Sequence, residues 1–217
     1  MAEADHRGRR AALRPKSRLE AFSDGVFAIA ITLLALEIAV PAGSEDDLLQ
    51  AVLDQWPSYV AYLVSFTTIG AIWLKHSAIT DLMPRTDSGF LRLNLSLLIF
   101  VCFLPFPTRL VADSLDAGTD AERTAVVLYG LNVFLIGAIV GLLWMYALRQ
   151  RLVDERLDED EAAWLTRQLT PTIAAYVIAI ALGFAAPIIA VALMLTAAVF
   201  MAVPPRTIAR AFRGRPA

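Results

Sequence analysis

The stretch that decides the fold is residues 18–41, RLEAFSDGVFAIAITLLALEIAVP. Four of its first seven side chains are polar or charged, and an almost uninterrupted apolar run follows to about Val40. A bilayer core of about 30 Å needs roughly 20 mostly apolar residues in one helix. The run exceeds the apolar core of a signal peptide, which spans about 7–15 residues, so it predicts a retained transmembrane helix.

The rest of the chain repeats this pattern. Of 217 residues, 58% are hydrophobic and only 18% are charged, whereas an ordinary soluble domain has about 25% charged residues. Further apolar runs are predicted at about 58–79, 89–112, 124–148 and 172–203, with breakers at Pro105 and Pro107 in the third run. The sequence therefore predicts an all-α membrane protein with short loops and no separate soluble domain.

The last apolar stretch decides the number of spans. As one helix its 32 residues would measure about 48 Å, too long for one upright span. Gly183 and Pro187 predict a turn between two short helices. Six spans put 17 of the 19 Lys and Arg residues on one side and leave only Arg109 and Arg123 on the other. Because basic residues concentrate in cytoplasmic loops, we predict six transmembrane helices with cytoplasmic N- and C-termini in the cell membrane.

These boundaries divide the chain into three parts. Residues 1–17 and 206–217 are predicted to be basic cytoplasmic tails, and residues 18–205 the six-helix transmembrane domain. Signatures of soluble enzymes are missing: there is no GxxxxGK[ST], HExxH or CxxC motif, and the filter sequence TVGYG is missing too. The single Cys102 excludes a disulfide framework or thiolate metal site within one chain, and we expect it to be a packed core residue. The sequence predicts no enzyme activity, no cofactor, no resident metal and no nucleic-acid partner.

The cytoplasmic start of the first helix is unusually polar. Arg18, Ser23 and Asp24 lie within two turns, and a charged side chain in hydrocarbon costs roughly 2.5–3.5 kcal/mol unless it is paired, interfacial or facing water. We therefore expect partners on other helices. The candidates are Trp73, His76 and Asn94. In the alternative interpretation, Ser23 and Asp24 merely cap a frayed helix start.

The signature RxxxFSDG at residues 18–25, followed by AIAITLLALEI, resembles the first helix of bacterial members of the transmembrane protein 175 family, the lysosomal potassium channel and its prokaryotic relatives. The likeness extends more weakly through six helices, through WxxH at Trp73 and His76, and through a third helix carrying Asn94. Animal members have two six-helix repeats per subunit and this chain has one. The resemblance thus implies a homotetramer whose first helices line a potassium-conducting pore.

One stripe of the first helix is the candidate pore lining. Ile29, Thr32 or Leu33, and Leu36 recur at helical spacing, and four converging copies would form hydrophobic rings able to gate by dewetting. The resemblance implies that Ile29 is the bottleneck and Thr32 the polar layer that contributes to selectivity. An aliphatic stripe also suits buried packing or a lipid face, and threonine often bonds back to its own helix.

The resemblance also implies a buried structural network that orients the first helix. Its predicted members are Arg18, Phe22, Ser23, Asp24, Trp73, His76 and Asn94. Potassium and other monovalent cations, the lipid bilayer and further copies of the chain are the predicted partners. A secondary transporter and a non-conducting membrane scaffold remain as alternatives. A transporter is typically built from repeats or broken helices with polar residues at the midplane, whereas here the first helix is polar at its cytoplasmic end and aliphatic at its midplane.

Overall fold

A computed structural model describes residues 14–43, 45–115, 120–154, 166 and 174–202. Every regular element in this part of the chain is helical, and an isolated bridge joins Arg14 and Thr86. The elements are α1 (Ser17–Leu36), a 3₁₀ turn (Glu45–Asp47), α2 (Leu48–Leu53), α3 (Trp56–Asp81), α4 (Ser88–Phe103), α5 (Pro105–Ser114), α6 (Asp120–Arg149), α7 (Ala174–Gly183) and α8 (Pro187–Ala202).

Four helical segments are long and apolar enough to cross a membrane. They are Ser17–Leu36, Leu48–Asp81, Ser88–Ser114 and Asp120–Arg149, and α7 and α8 are shorter apolar helices. The predicted membrane-type, all-helical architecture is therefore confirmed. The predicted tail 206–217 lies outside the described residues, as does the tail 1–17 up to residue 13.

Prolines set two of the helix boundaries. Pro105 and Pro107 fall in the first turn of α5, where a missing backbone donor costs little, and the third apolar run breaks there into α4 and α5. The last apolar stretch turns at residues 184–186, and Pro187 opens α8, so the predicted turn is confirmed. α1 ends at Leu36, ahead of the predicted limit at Val40, where Pro41 disfavours helical geometry in the preceding residue.

α3 is the central helix of the bundle. It contacts α1, α5, α6 and α8, while α1 lies against α3, α4 and α5. The core between the helices is aliphatic and aromatic. Its fully buried large side chains include Phe27, Leu34, Ile69, Phe90, Leu97, Ile136, Leu143 and Trp144.

The expectation that Cys102 is a core residue is wrong. Cys102 is exposed on α4 beside Ile99 and Phe103, whereas the neighbouring Val101 is fully buried. The C-terminal half of α4, residues 97–103, contains no polar residue other than Cys102 itself, so no amphipathic pattern there predicts which face the bundle buries.

Helix packing depends on small residues in α6. A Cβ atom added at Gly130 would lie 2.7 Å from Met194 Cε on α8 and 2.9 Å from Ile180 Cγ1 on α7. The GxxxG pair Gly137 and Gly141 has open space at the same position, so within the described residues this motif makes no close helix contact. The absence of a side chain at Gly130 therefore leaves room for Ile180 on α7 and for the flexible end of Met194 on α8.

Gly130→Val should lower thermal stability, because overpacking a close contact typically costs about 1–3 kcal/mol. For a chain of this size we expect the midpoint of thermal unfolding of purified protein to fall by about 2–4 °C per kcal/mol. Gly137→Val is the matched control, with the same change of helix propensity but no neighbour to displace. Equal midpoints for the two variants would contradict close packing at Gly130.

Candidate pore-lining helix and its anchoring cluster

The two faces of α1 have different environments. Leu19, Ser23, Phe27, Ala30 and Leu34 are buried against the bundle and recur every three or four residues. The opposite face is open in the single chain. In its most apolar stretch α1 has 28% of its residues buried, against 44% in each of the other three long segments.

The structure places all four predicted pore-lining residues on this open face. Ile29 is 60% exposed, Leu33 41% and Leu36 73%, and Thr32 lies between them, also exposed. The Thr32 hydroxyl donates a 2.8 Å hydrogen bond to the carbonyl oxygen of Ile29, one turn earlier. Its hydrogen is thus used within the helix, and its oxygen lone pairs face outward.

Three buried polar side chains join α1 to α3 and α4. Asn94 Nδ2 on α4 donates to Ser23 Oγ on α1 at 2.9 Å, and Asn94 Oδ1 lies 2.8 Å from His76 Nε2 on α3. Because the amide oxygen is an acceptor only, His76 donates through a protonated Nε2. We call Ser23, His76 and Asn94 the anchoring cluster; each is at most 2% exposed.

An aromatic contact and a second polar contact flank the anchoring cluster. The ring of Phe27 packs against the His76 ring with centroids 5.6 Å apart. Trp73 Nε1 donates to Asp24 Oδ1 at 2.8 Å, at an exposed position on α3 and α1. Ser23 and Asp24 lie six and seven residues inside α1, whose first turn has no side-chain cap, so the alternative interpretation of these residues as helix caps is wrong.

Two predicted members of the network lie outside it. Phe22 is 56% exposed and Arg18 is exposed, both on the open side of α1. In an α-helix, neighbouring residues point about 100° apart, so burial of Leu19 and Ser23 turns Arg18 and Phe22 away from the cluster. The signature located the first helix correctly. Residues that are close together in the signature, however, do not all lie on the same face of that helix.

The N-terminal end of α1 makes contacts that were not predicted from the sequence. Arg14 and Thr86 exchange two backbone hydrogen bonds, of 2.7 and 3.0 Å. The Lys16 ammonium donates to the carbonyl oxygen of Thr80 at 2.8 Å and pairs with Glu20 at 3.0 Å. The i,i+4 spacing of Lys16 and Glu20 is enough to predict their ion pair from the sequence. No sequence pattern predicts the backbone hydrogen bonds between Arg14 and Thr86, which lies in the loop between α3 and α4.

The other end of α1 is also tied to the bundle. Arg109 Nη1 on α5 lies 3.2 Å from Glu37 Oε2, directly after α1, and Arg109 Nε lies 3.4 Å from Asp113 Oδ2. Arg109 is 58% exposed, so the pair is open to water. α1 is thus in contact with the bundle at both ends and, through the anchoring cluster, in its N-terminal third.

No group of three or more His, Cys, Asp or Glu residues in the described part of the chain could hold a metal ion. The site consists instead of the aliphatic open face of α1, of Thr32 on that face, and of the anchoring cluster on the buried face of the same helix.

Loss of the Asn94 amide should destabilise the protein. Asn94→Leu leaves Ser23 and His76 buried without their partner, and an unsatisfied buried polar group costs about 1–3 kcal/mol. The midpoint of thermal unfolding in detergent is expected to fall by about 2–4 °C for each kcal/mol lost. Ser96→Ala is the control on the same helix, because Ser96 bonds only to the Arg92 carbonyl at 3.3 Å. A midpoint unchanged by Asn94→Leu would show that the cluster does not hold α1.

Comparison with known proteins gives a consistent family. A family model described as the endosomal/lysosomal potassium channel TMEM175 matches residues 18–105. A potassium channel of Chamaesiphon minutus is 40% identical over 190 residues, covering 85% of this chain and 92% of the relative. A potassium channel of Streptomyces collinus is 40% identical over 152 residues, covering 69% of this chain and 73% of the relative.

The fold matches as well. The crystal structure of a lysosomal potassium-selective channel TMEM175 homolog from Chamaesiphon minutus superposes with a TM-score of 0.78 at 38% identity, covering 86% of this chain and 96% of that one. The TMEM175 protein of Danio rerio, named as an endosomal/lysosomal proton channel, is 34% identical over 142 residues but is covered for only 27% of its length.

Proposed function

The chain belongs to the TMEM175 family of multi-pass membrane channels, and from this membership we propose that it is a passive cation channel that conducts potassium in preference to sodium. In this proposal four copies surround one pore, and α1 of each copy lines it. Both termini lie in the cytoplasm and the channel resides in the cell membrane. Residues 18–205 form the channel domain between two basic tails.

The open face of α1 carries the proposal. α1 is the least buried of the four long apolar segments, although its buried face is fixed by polar contacts. A helix that only met lipid on its open face would not need a defined rotation, because lipid accepts any apolar face equally. The anchoring cluster gives α1 a defined rotation and directs Ile29, Leu33 and Leu36 away from the subunit.

Hydrophobic rings then act as the constriction. Ile29 and Leu36 are separated by seven residues, or about 10 Å along the helix, so four copies would stack two aliphatic rings with Leu33 between them. Rings of branched side chains close a pore to ions by excluding water. Conduction requires these side chains to move apart enough for water to enter.

Thr32 supplies the polar layer. Its hydroxyl hydrogen is bonded to the Ile29 carbonyl, so the oxygen presents only lone pairs to the open face. Cations bind oxygen lone pairs, and a ring of four such oxygens would contact potassium that has shed part of its hydration shell. Selectivity in this proposal needs no ring of backbone carbonyls.

Liposome flux tests the function against its alternatives. We expect purified protein in liposomes to pass potassium down its gradient as a non-saturating current that needs no counter-ion, and to pass sodium more slowly. Saturable uptake coupled to a second ion would instead identify a secondary transporter. Silence of correctly folded protein would identify a non-conducting scaffold.

Ile29→Asn should raise the leak current, because a polar ring at the bottleneck lets water fill the constriction. Ile99→Asn on α4 is the matched control, since Ile99 is 66% exposed and Ile29 60%. We expect single-channel recordings to show more frequent or longer openings for Ile29→Asn alone. Equal currents for both variants and the wild type would remove Ile29 from the gate.

Arg109→Gln should raise potassium conductance at low ionic strength. The substitution removes the positive charge that pairs with Glu37 and Asp113. The entrance of the proposed pore beside Glu37 then becomes more negative, and a negative entrance concentrates cations. The gain should vanish in about 1 M salt, where the Debye length is roughly 3 Å. Arg123→Gln is the control, because Arg123 pairs with Asp120 at the start of α6. An equal gain from both variants would point to general surface charge and not to Glu37.

A further inference from the structure

A buried asparagine on α6 faces the break between α4 and α5. Asn132 is 3% exposed, and its Nδ2 donates to the backbone carbonyl oxygen of Phe100 on α4 at 3.2 Å. The other polar atom of the amide, Oδ1, has no hydrogen-bond partner within the described residues. In this position the amide therefore serves as a hydrogen-bond donor to the backbone of a neighbouring helix.

The proline that begins α5 explains why Phe100 takes a donor from another helix. In a regular helix the carbonyl oxygens of residues 100 and 101 accept from the backbone N–H groups of residues 104 and 105. Pro105 has no N–H group. The Leu104 N–H donates to the Val101 carbonyl oxygen at 3.2 Å, in place of the donor that position 105 lacks. The Phe100 carbonyl oxygen, to which Leu104 would donate in a regular helix, receives Asn132 instead.

A side chain also supports the α5 side of the break. Thr108 Oγ1 donates to the Leu104 carbonyl oxygen at 2.8 Å and lies 2.7 Å from Ser65 Oγ on α3. Leu104 keeps helical torsion angles, φ −57° and ψ −36°, so the chain passes from α4 to α5 without a loop. Backbone groups that a proline frees in a membrane helix are satisfied by Ser or Thr side chains and by neighbouring helices. At this break both means are used, because Thr108 bonds to one side and Asn132 to the other.

We propose that Asn132 stabilises the break between α4 and α5 by replacing the backbone hydrogen bond that Pro105 displaces, and that it thereby fixes the direction of α5. The direction of α5 matters because it carries Arg109, one turn after Pro105. Arg109 Nη1 lies 3.2 Å from Glu37 Oε2, directly after α1. Asn132 is in this sense a positioning residue for the contact between α5 and the end of α1. All of these contacts lie within one chain, so the inference does not rest on the pore proposal.

Hydrogen–deuterium exchange of the full chain in liposomes, followed by mass spectrometry, tests this role. Asn132→Leu keeps a similar shape but has no donor, and we expect the amides of residues 106–114 to exchange about 3- to 10-fold faster relative to those of residues 88–98. Local exchange is the decisive measurement, because leucine also removes the unpartnered Oδ1 and the overall unfolding midpoint need not fall. Asn94→Leu is the matched control. Asn94 is the only other asparagine of the chain and is 2% exposed, but it bonds to α1 and α3, so residues 106–114 should exchange as in the wild type.

Removal of the prolines distinguishes this role from ordinary packing. In Pro105→Ala with Pro107→Ala, the backbone N–H groups at both positions return, so Leu104 is free to donate to the Phe100 carbonyl oxygen. In this background Asn132→Leu should change the exchange of residues 106–114 by less than about twofold. An equal increase with and without the prolines would show that Asn132 only fills space and would overturn the proposal. Unchanged exchange in Asn132→Leu alone would overturn it as well, since α5 would then be held without the amide.

Discussion

The side-chain amide of Asn94 is the contact on which the arrangement of α1 depends. It donates to Ser23 on α1 and accepts from His76 on α3, so three helices meet at one buried group. Apolar surface in a bilayer gains nothing by turning inward, because lipid tails are as apolar as the core. Van der Waals packing favours many rotations of α1, whereas only one rotation satisfies Ser23. The polar contact therefore decides which side chains α1 presents outward.

This constraint also explains how far the sequence predicted the site. Ser23, His76 and Asn94 could be named from the sequence because polar side chains in apolar helices need partners, and few candidates exist at the same depth. Arg18 and Phe22 were assigned to the network because they stand in the same signature. Arg18 and Phe22 each stand one residue before Leu19 and Ser23, which turns them onto the open face, and an exposed Arg needs no buried partner.

Whether an apolar residue is buried or exposed was harder to predict, because an apolar side chain needs no hydrogen-bond partner that would fix its position. Cys102 and Val101 occur in a run without polar residues, and no periodicity in that run indicates that one is buried and the other exposed. The helix breaks were predictable, since Pro105 and Pro187 act through local backbone geometry that is the same in water and lipid. The sequence thus predicts the fold where polar residues or helix-breaking prolines occur. It does not predict which face of a helix is buried where packing of apolar side chains alone decides.

α3 carries buried hydrogen-bonding side chains at two heights. Ser65 bonds to Thr108 on α5 and Tyr129 on α6, and His76 bonds to Asn94 on α4. Ser65, Thr68 and His76 lie on the same buried face, with Thr68 and His76 separated by about 12 Å along the helix. A helix that carries hydrogen-bonding groups at both heights resists sliding and rotation, because either motion breaks several buried bonds together. α3 thereby provides a rigid support for α1, which it contacts along the anchoring cluster.

The tethers of α1 limit the kinds of motion that a gate in this protein would use. Rotation of the whole helix would break the bonds of Lys16 to Thr80, of Ser23 to Asn94 and of Glu37 to Arg109. The Glu37–Arg109 pair is open to water, but the other two bonds, at a net value of about 0.5–1.5 kcal/mol each, together amount to about two to five times the thermal energy. Rotamer changes of Ile29, Leu33 and Leu36 on the open face break none of these bonds. If the proposed constriction exists, we therefore expect its wetting to follow side-chain rearrangement or small shifts between the proposed subunits, with α1 keeping its rotation relative to α3 and α4.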